Sequence, residues 1–215
     1  MNDSSNNLLN MEDLATLDST VFPLEARQDL VREGPHGSIL LTERGVRFYT
    51  AAFRRAGIAV NWTAIRTRSD LHAMVMAASA ALCAEAVGAM EALNAATFDY
   101  LKTRQQFGRP IGSFQALQHR AVDMMIHCEQ SRSMAYLASV KVQSEDPNER
   151  KRTVSAAKIQ IGRSGRVISQ EAIQLHGGMG VSNELAAGHY AKRLTMINAT
   201  LGDVEHHAER FASAG

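Results

Sequence analysis

The sequence predicts a mainly α protein, an antiparallel four-helix bundle preceded by an irregular N-terminal segment that contains short strands. Three observations carry this. Apolar or small residues recur at helical spacing for roughly nine turns, at Leu71, Met74, Val75, Ala78, Leu82, Ala86, Met90, Leu93, Thr97 and Leu101. Two further runs follow, each set off by a few Gly, Pro, Ser or Asp residues. Three helices of about 30 residues, each ~45 Å long and joined by short connections, pack most economically side by side and antiparallel, with a fourth closing the bundle.

The N-terminal residues fit that architecture least. Residues 1–20 are polar, with weak apolar spacing at Leu8, Leu9, Met11, Leu14 and Leu17, so they form either a short helix or a disordered arm. Residues 23–33 suit another short helix, punctuated by Gly34, Pro35 and Gly37. Residues 38–42 and 46–49 are β-prone runs around Glu43-Arg44-Gly45, the pattern of a hairpin, and 58–65 is a further β-branched run holding the only tryptophan, Trp62. Three such pieces cannot close a useful sheet. Residues 1–68 therefore read as a partial module, and 69–215 as the bundle.

The bundle helices have recognisable ends. The first runs to about Lys102, where Gly108, Pro110 and Gly112 break the pattern and Ser113 offers an N-cap for the next. That second helix, to about Gln143, places Phe114, Leu117, Ala121, Met124, Met125, Cys128, Met134, Leu137 and Val140 on one side. Asp146-Pro147 then supplies a cap with proline at the first helical position, and Glu149 completes a capping arrangement. The third helix buries Val154, Ala157, Ile161, Val167, Ile168, Ala172 and Leu175, and stops at Gly177-Gly178 as a left-handed C-cap would. A fourth begins after Ser182-Asn183 and runs to about Thr200. Gly202 interrupts it before a last short helix over 203–212. Many of the ten methionines fall on these inner faces and read as core.

Composition excludes several functions. With 23 Lys+Arg against 22 Asp+Glu, the net charge of +1 provides no field to recruit nucleic acid or a membrane surface. Cys83 and Cys128 lie in apolar helical runs and read as reduced core thiols. The polar start lacks a secretory leader, and no stretch reaches ~20 uninterrupted apolar residues, so the expectation is a soluble cytoplasmic protein.

The loop after the first bundle helix carries the chemistry. Arg104 is a fixed cation, Phe107 an exposed-looking ring and Arg109 a second charge, all beside the start of a helix. A guanidinium and an aromatic face at a helix N-terminus are what a nucleotide's phosphates and adenine require. The alternative is an ordinary helix connection with solvated arginines. HGGMG at 176–180 is a loose glycine fingerprint, but it follows a helix rather than a strand, which argues against a Rossmann site.

Three segments together resemble the C-terminal helical domain of the acyl-CoA dehydrogenases: EAVGAMEAL at 85–93, YLKTRQQFGRPIGSFQALQHRAVDM from Tyr100, and QLHGGMGVSNE from Gln174. The resemblance covers about residues 70–215. It implies an FAD-linked α,β-dehydrogenation, in which a glutamate takes the α-proton of an acyl-CoA and a hydride leaves the β-carbon for the flavin. It also implies a dimer or tetramer, with the nucleotide half of FAD held across a subunit interface. Position by position, Arg104 resembles the arginine that meets the pyrophosphate, Gln106 a small polar flavin contact, and Phe107 an aromatic near the adenosine. Gln115 and Gln174 match polar contacts, Gly178 a glycine that admits the phosphates, and Asp203 a flavin-contacting position.

The departures weigh as much. Where many of these enzymes carry the catalytic glutamate this chain has Leu201, and the alternative position falls at Ala78 or Ser79. None of these can take a proton from carbon. Asp203 and Glu205 are nearby carboxylates that could substitute as the base, although Asp203 falls at a flavin-contacting position. Two readings follow: a dehydrogenase subunit active only with a partner, such as a second acyl-CoA dehydrogenase-like chain that supplies the missing parts, or an inactive truncated subunit that oligomerises or lends flavin contacts. Glu205-His206-His207 is read as a solvated or interface helix face rather than a metal site, because adjacent histidines point about 100° apart on a helix. His176 either lies near the ligand or caps a helix. Arg150-Lys151-Arg152, Lys192 and Arg193 read as solvated charges.

Overall fold

The computed structural model describes residues 30–33, 39–55, 59–61, 65, 67–182 and 184–214. The chain divides into two compact units, Met1–His72 and Ala73–Gly215.

In the first unit, β1 (Val31–Glu33) pairs antiparallel with β2 (Ile39–Leu41), Val31 opposite Leu41 and Glu33 opposite Ile39. Helix α1 (Glu43–Arg55) follows at once. Thr42 starts it. Its hydroxyl accepts from the Gly45 N–H at 3.0 Å, an N-cap of about 1 kcal/mol, and Glu43 pairs with Arg47 one turn on. Gly45 is required because a Cβ there would collide with the Leu30 carbonyl. Two expectations are corrected here. Residues 46–49 are helical, not the second strand of a hairpin, because the Thr42 cap commits them to a helix. Val31–Glu33, expected in a helix, is the strand that pairs with β2. Residues 23–29 and Trp62 lie outside the described residues.

The second unit is the bundle. Helix α2 (Arg68–Thr103) begins with a reciprocal cap, Asp70 N–H to Thr67 Oγ1 at 3.1 Å and Thr67 N–H to Asp70 Oδ2 at 2.9 Å. A two-residue-per-strand hairpin, β3 (Gln105–Gln106) and β4 (Arg109–Pro110), and a 3-10 turn (Ile111–Ser113) lead to α3 (Gln115–Lys141). Helix α4 (Pro147–His176) is capped by Asp146, whose carboxylate accepts from Asn148 N–H at 2.9 Å. A 3-10 turn (Gly177–Val181), α5 (Ala186–Ala199) and α6 (Val204–Ala212) complete the chain.

Cross-links fix the directions. Arg120–Glu171, His127–Ser164 and Gln130–Gln160 step in opposite senses along α3 and α4, so these helices are antiparallel. Asn94 to the Met124 carbonyl and Glu91–Arg132 make α2 and α3 antiparallel as well. Lys158 on the Ile197 carbonyl, with Gly165 against Leu194, reverses α5 relative to α4. The result is the four-helix bundle expected from the spacing. Its core holds Leu82, Met90, Leu93, Met124, Val154, Ile168 and Ile197, and both cysteines are free and buried.

Three details differ. Ser113 does not cap α3; its hydroxyl donates to the Pro110 carbonyl at 2.7 Å, Phe114 occupies the cap position, and the helix starts two residues later. Glu149 bonds Ser144 and Lys141 rather than closing a box on Asp146, because the preceding turn brings those groups within reach. By length and composition Asp70–Thr103 is apolar enough to cross a membrane, with mean hydropathy 1.7 in its richest window, since alanines dilute its few charges. In this chain 61% of that window is buried, as in the central helix of a bundle.

Candidate functional site

The β3–β4 hairpin turns through Phe107 and Gly108, both at positive φ (56° and 76°), the pairing that a two-residue hairpin loop of matching twist demands. For glycine this is free. For phenylalanine it costs roughly 1–2 kcal/mol, and the ring that results is 91% exposed. It is held from behind, edge-on to Phe114 at 6.0 Å between centroids, while Arg109 lies 4.1 Å over the Phe114 face. Strained backbone that exhibits an apolar ring to solvent points to something the ring receives. Beside it the exposed Arg104 side chain makes no hydrogen bond or ion pair to any described residue, its backbone alone being tied to Tyr100 and Ile111. Gln106 is exposed in β3, and Gln115 is exposed in the first turn of α3.

A second element meets this one. At the end of α4, His176 is buried, donates from Nδ1–H to the Ala172 carbonyl at 2.8 Å, and stacks on Tyr100 with ring centroids 4.6 Å apart. Tyr100 lies one turn before the hairpin. This contact puts Gly177-Gly178 at the same pole of the bundle as Arg104 and Phe107. Gly177 turns the chain with φ 59°, and a Cβ on either glycine would meet nothing within 4 Å, so the backbone there is open to close approach. Gln174 is exposed on the last turn of α4. Arg104, Gln106, Phe107, Gln115, Gln174 and Gly178 thus share one end of the molecule.

Leu201, Asp203 and Glu205 do not. The turn carrying them is tied to Lys158, eighteen residues before His176 on α4, roughly 27 Å along that helix. Lys158 is 2% exposed, and its ammonium donates to the carbonyls of Ile197 and Thr200, each at 2.8 Å, and of Asn198 at 3.4 Å. Burial pushes its pKa down to about 8, opposed in part by electrostatic interaction with Cys83 and Asp203. Leu201 is 3% exposed in a left-handed conformation (φ 59°), and its carbonyl accepts from His207 Nε2–H at 3.1 Å. His207 is fully buried, with Nδ1 3.3 Å from Ser155 Oγ. Burial first, then the Lys158 charge, hold its pKa far below the ordinary imidazole range. Asp203 caps α6 through His206 N–H at 2.9 Å, and Glu205 is exposed. The reading of 205–207 as one surface face is therefore corrected for His207, which turns inward to the α5–α6 turn.

Sequence reasoning missed Lys158 and the Tyr100–His176 contact. Lys158 had a signal: it falls at i+4 from Val154 and three before Ile161, on the core face of α4. Tyr100 and His176 sit 76 positions apart, and nothing local joins them.

The acyl-CoA dehydrogenase C-terminal domain profile matches residues 71–214. The chain belongs to the acyl-CoA dehydrogenase family. It is 36% identical over 112 residues to acyl-CoA dehydrogenase IpdE2 of Mycobacterium tuberculosis, an alignment covering 52% of this chain and 33% of that protein. Among solved structures it is similar to the ChsE4-ChsE5 complex from Mycobacterium tuberculosis (TM-score 0.62, 26% identity, 69% of this chain and 40% of that one). It is also similar to PigA with FAD and proline (TM-score 0.60, 30% identity, 65% and 36%). The chain spans between a third and two fifths of the length of these relatives.

Proposed function

We propose that this chain is a subunit of an FAD-dependent acyl-CoA dehydrogenase that acts within a dimer, a tetramer or a pairing with a second, related chain. The carrying observation is the shared pole: an Arg104 side chain with no partner among the described residues, a strained and exposed Phe107 and an open Gly177-Gly178 turn, brought together by Tyr100 and His176. These residues fit the nucleotide half of FAD. Arg104 would bond the pyrophosphate, Phe107 would cover the adenosine, Gln106, Gln115 and Gln174 would supply polar contacts, and Gly178 would let its backbone approach the phosphates. Bound FAD would supply the acceptor for the hydride leaving the β-carbon of an acyl-CoA. Asp203, about 27 Å away along α4, would serve a different copy of the cofactor from the one this pole holds, which is why the reading requires more than one chain. Leu201 cannot accept the proton, so it would go to a partner's base or, in the alternative, to Asp203 or Glu205. The ChsE4-ChsE5 complex, by its name a pairing of two chains, supports such an arrangement. A cytoplasmic location belongs to the same proposal.

A second reading is an inactive subunit that oligomerises. It is favoured by α3, which leaves Val122, Met125, Ile126, Tyr136, Leu137 and Val140 exposed along its length, an apolar stripe suited to packing on another chain. Size-exclusion chromatography with absorbance in the flavin region, followed by turnover of an acyl-CoA with an artificial electron acceptor, separates the two. Arg104→Ala is expected to weaken FAD binding by about 1.5–3 kcal/mol, a charge-assisted hydrogen bond, in a fluorescence titration. Unchanged affinity removes Arg104 from the site. Leu201→Glu is expected to raise turnover in the reconstituted assembly. No gain would place the base or the substrate pocket elsewhere.

A further inference from the structure

A second concave site lies between α4, the Gly177–Val181 turn and α5, next to Gln174 and Gly178 but lined by other residues. It is a cleft of about 500 Å³, within the ~300–1,000 Å³ range of small-molecule sites. One wall is a single face of α4, with Gly162, Arg166, Ser169 and Ile173 at spacings of four, three and four. The other is the facing side of α5, from Gly188 through Lys192 to Asn198. The walls are mostly apolar, through Ile173, Val181, Ala191 and Leu194.

Two features point to an occupant. The first is charge. Arg166, His189 and Lys192 line the cleft, and no Asp or Glu does. Arg166 and Lys192 make no ion pair with any described residue, whereas Arg193, adjacent to Lys192, is bidentate to Glu85. The second is an orphaned hydroxyl. Ser79, Thr97, Ser131, Ser139, Thr195 and Thr200 all turn their hydroxyls back onto the carbonyl four residues earlier, at 2.7–3.0 Å. Ser169 does not. It is 7% exposed, lines the cleft, and its Oγ has no hydrogen-bond partner. A buried hydroxyl left unbonded costs about 1–3 kcal/mol, which a polar atom in the cleft would recover. Gly188 lines the cleft, and a Cβ there would sit 3.6 Å from the Gly180 and Ser182 carbonyls, an ordinary contact, so a side chain can be placed at that position without a clash at Cβ.

We infer that this cleft binds a small amphipathic carboxylate. The apolar body lies between Ile173 and Leu194, the carboxylate is met by Arg166 and Lys192, and an oxygen accepts from Ser169. The inference uses none of the residues assigned to FAD, so either can fail without the other.

The test is calorimetric titration of the full chain, without flavin, using octanoate, octan-1-ol and octylammonium as probes of one apolar length and three charges. Octanoate is expected to bind saturably and at least about tenfold more tightly than either of the others. Arg166→Gln with Lys192→Gln, both exposed positions that leave the core intact, should abolish that preference. Gly188→Leu, which fills the space, should abolish binding while circular dichroism stays unchanged. Three probes bound equally, no saturable octanoate binding, or octanoate binding unaltered in Gly188→Leu would each overturn the assignment. In the second case the cleft is a seam for another chain.

Discussion

Lys158→Met is expected to lower stability by about 2–3 kcal/mol at pH 7, and Lys158→Ala by more, measured by urea denaturation. A buried lysine facing a carboxylate can often be replaced by an apolar residue at no loss, because the desolvation of two charges is recovered. The case differs here because the partners are backbone carbonyls at the C-terminal end of α5; that of Ile197 also accepts the Thr200 N–H at 3.2 Å, while Lys158 is the donor to that of Thr200. Methionine would fill the volume but leave the Thr200 oxygen without its donor, at about 1–3 kcal/mol, weaken the bonding of the Ile197 oxygen, and remove a cation from the negative end of the helix. Regained desolvation offsets part of this. With a pKa of about 8, lowered by burial, the ammonium is still charged at pH 7, because that pH lies below the folded value. The folded state gives up this proton at a lower pH than the unfolded chain, so wild-type stability should rise from pH 8 toward 9, and the methionine variant should lose that rise. Above pH 9 the raised pKa of Cys83, about 11, acts in the opposite direction. A Lys158→Met variant as stable as wild type would mean that water or relaxation satisfies the carbonyls.

How much of this could be read from the residues depends on range. The bundle was legible because its signal is local and repeated: the 3.6-residue spacing, Asp146-Pro147 and Gly177 place α2, α3 and α4 to within about two residues. Phe107 was legible as an exposed ring because Gly108, Pro110 and Gly112 exclude helix around it. What failed was decided across the chain. The pairing of Val31–Glu33 with Ile39–Leu41 and the helix at 43–55 hang on the Thr42 cap and on Gly45 fitting against Leu30, and β-propensity over four residues cannot see that. The division of the candidate site into two poles follows from the direction and length of α4, so residues similar in kind, such as Gln174 and Asp203, end up far apart. The aliphatic Leu201 and its supports are also one unit. Lys158 holds the turn at Thr200, and His207 holds it at Leu201, which keeps the leucine in its left-handed conformation.

That second support makes the fold acid-sensitive. His207 is neutral when buried, with Nε2–H on the Leu201 carbonyl and Nδ1 facing the Ser155 hydroxyl. Burial and the nearby Lys158 charge both penalise a second proton, so its folded pKa lies far below the unfolded 6.5. Below pH 6.5 the unfolded chain takes up a proton that the folded chain refuses. Stability conferred by the neutral ring is therefore complete above pH 6.5 and declines as pH falls, approaching one proton's slope, about 1.4 kcal/mol per pH unit, by pH 5. The difference between wild type and variant isolates the part of the acid slope that belongs to His207. His207→Gln keeps an amide donor for the Leu201 carbonyl and adds no titratable group. It is expected to cost about 1–2 kcal/mol at pH 7.5, from imperfect packing. Between pH 6.5 and 5 it should then lose stability more slowly than wild type, so that the two curves converge. Parallel urea midpoints across that range would show that His207 is charged in the fold, and that its ring does not anchor the Leu201 turn in the neutral form.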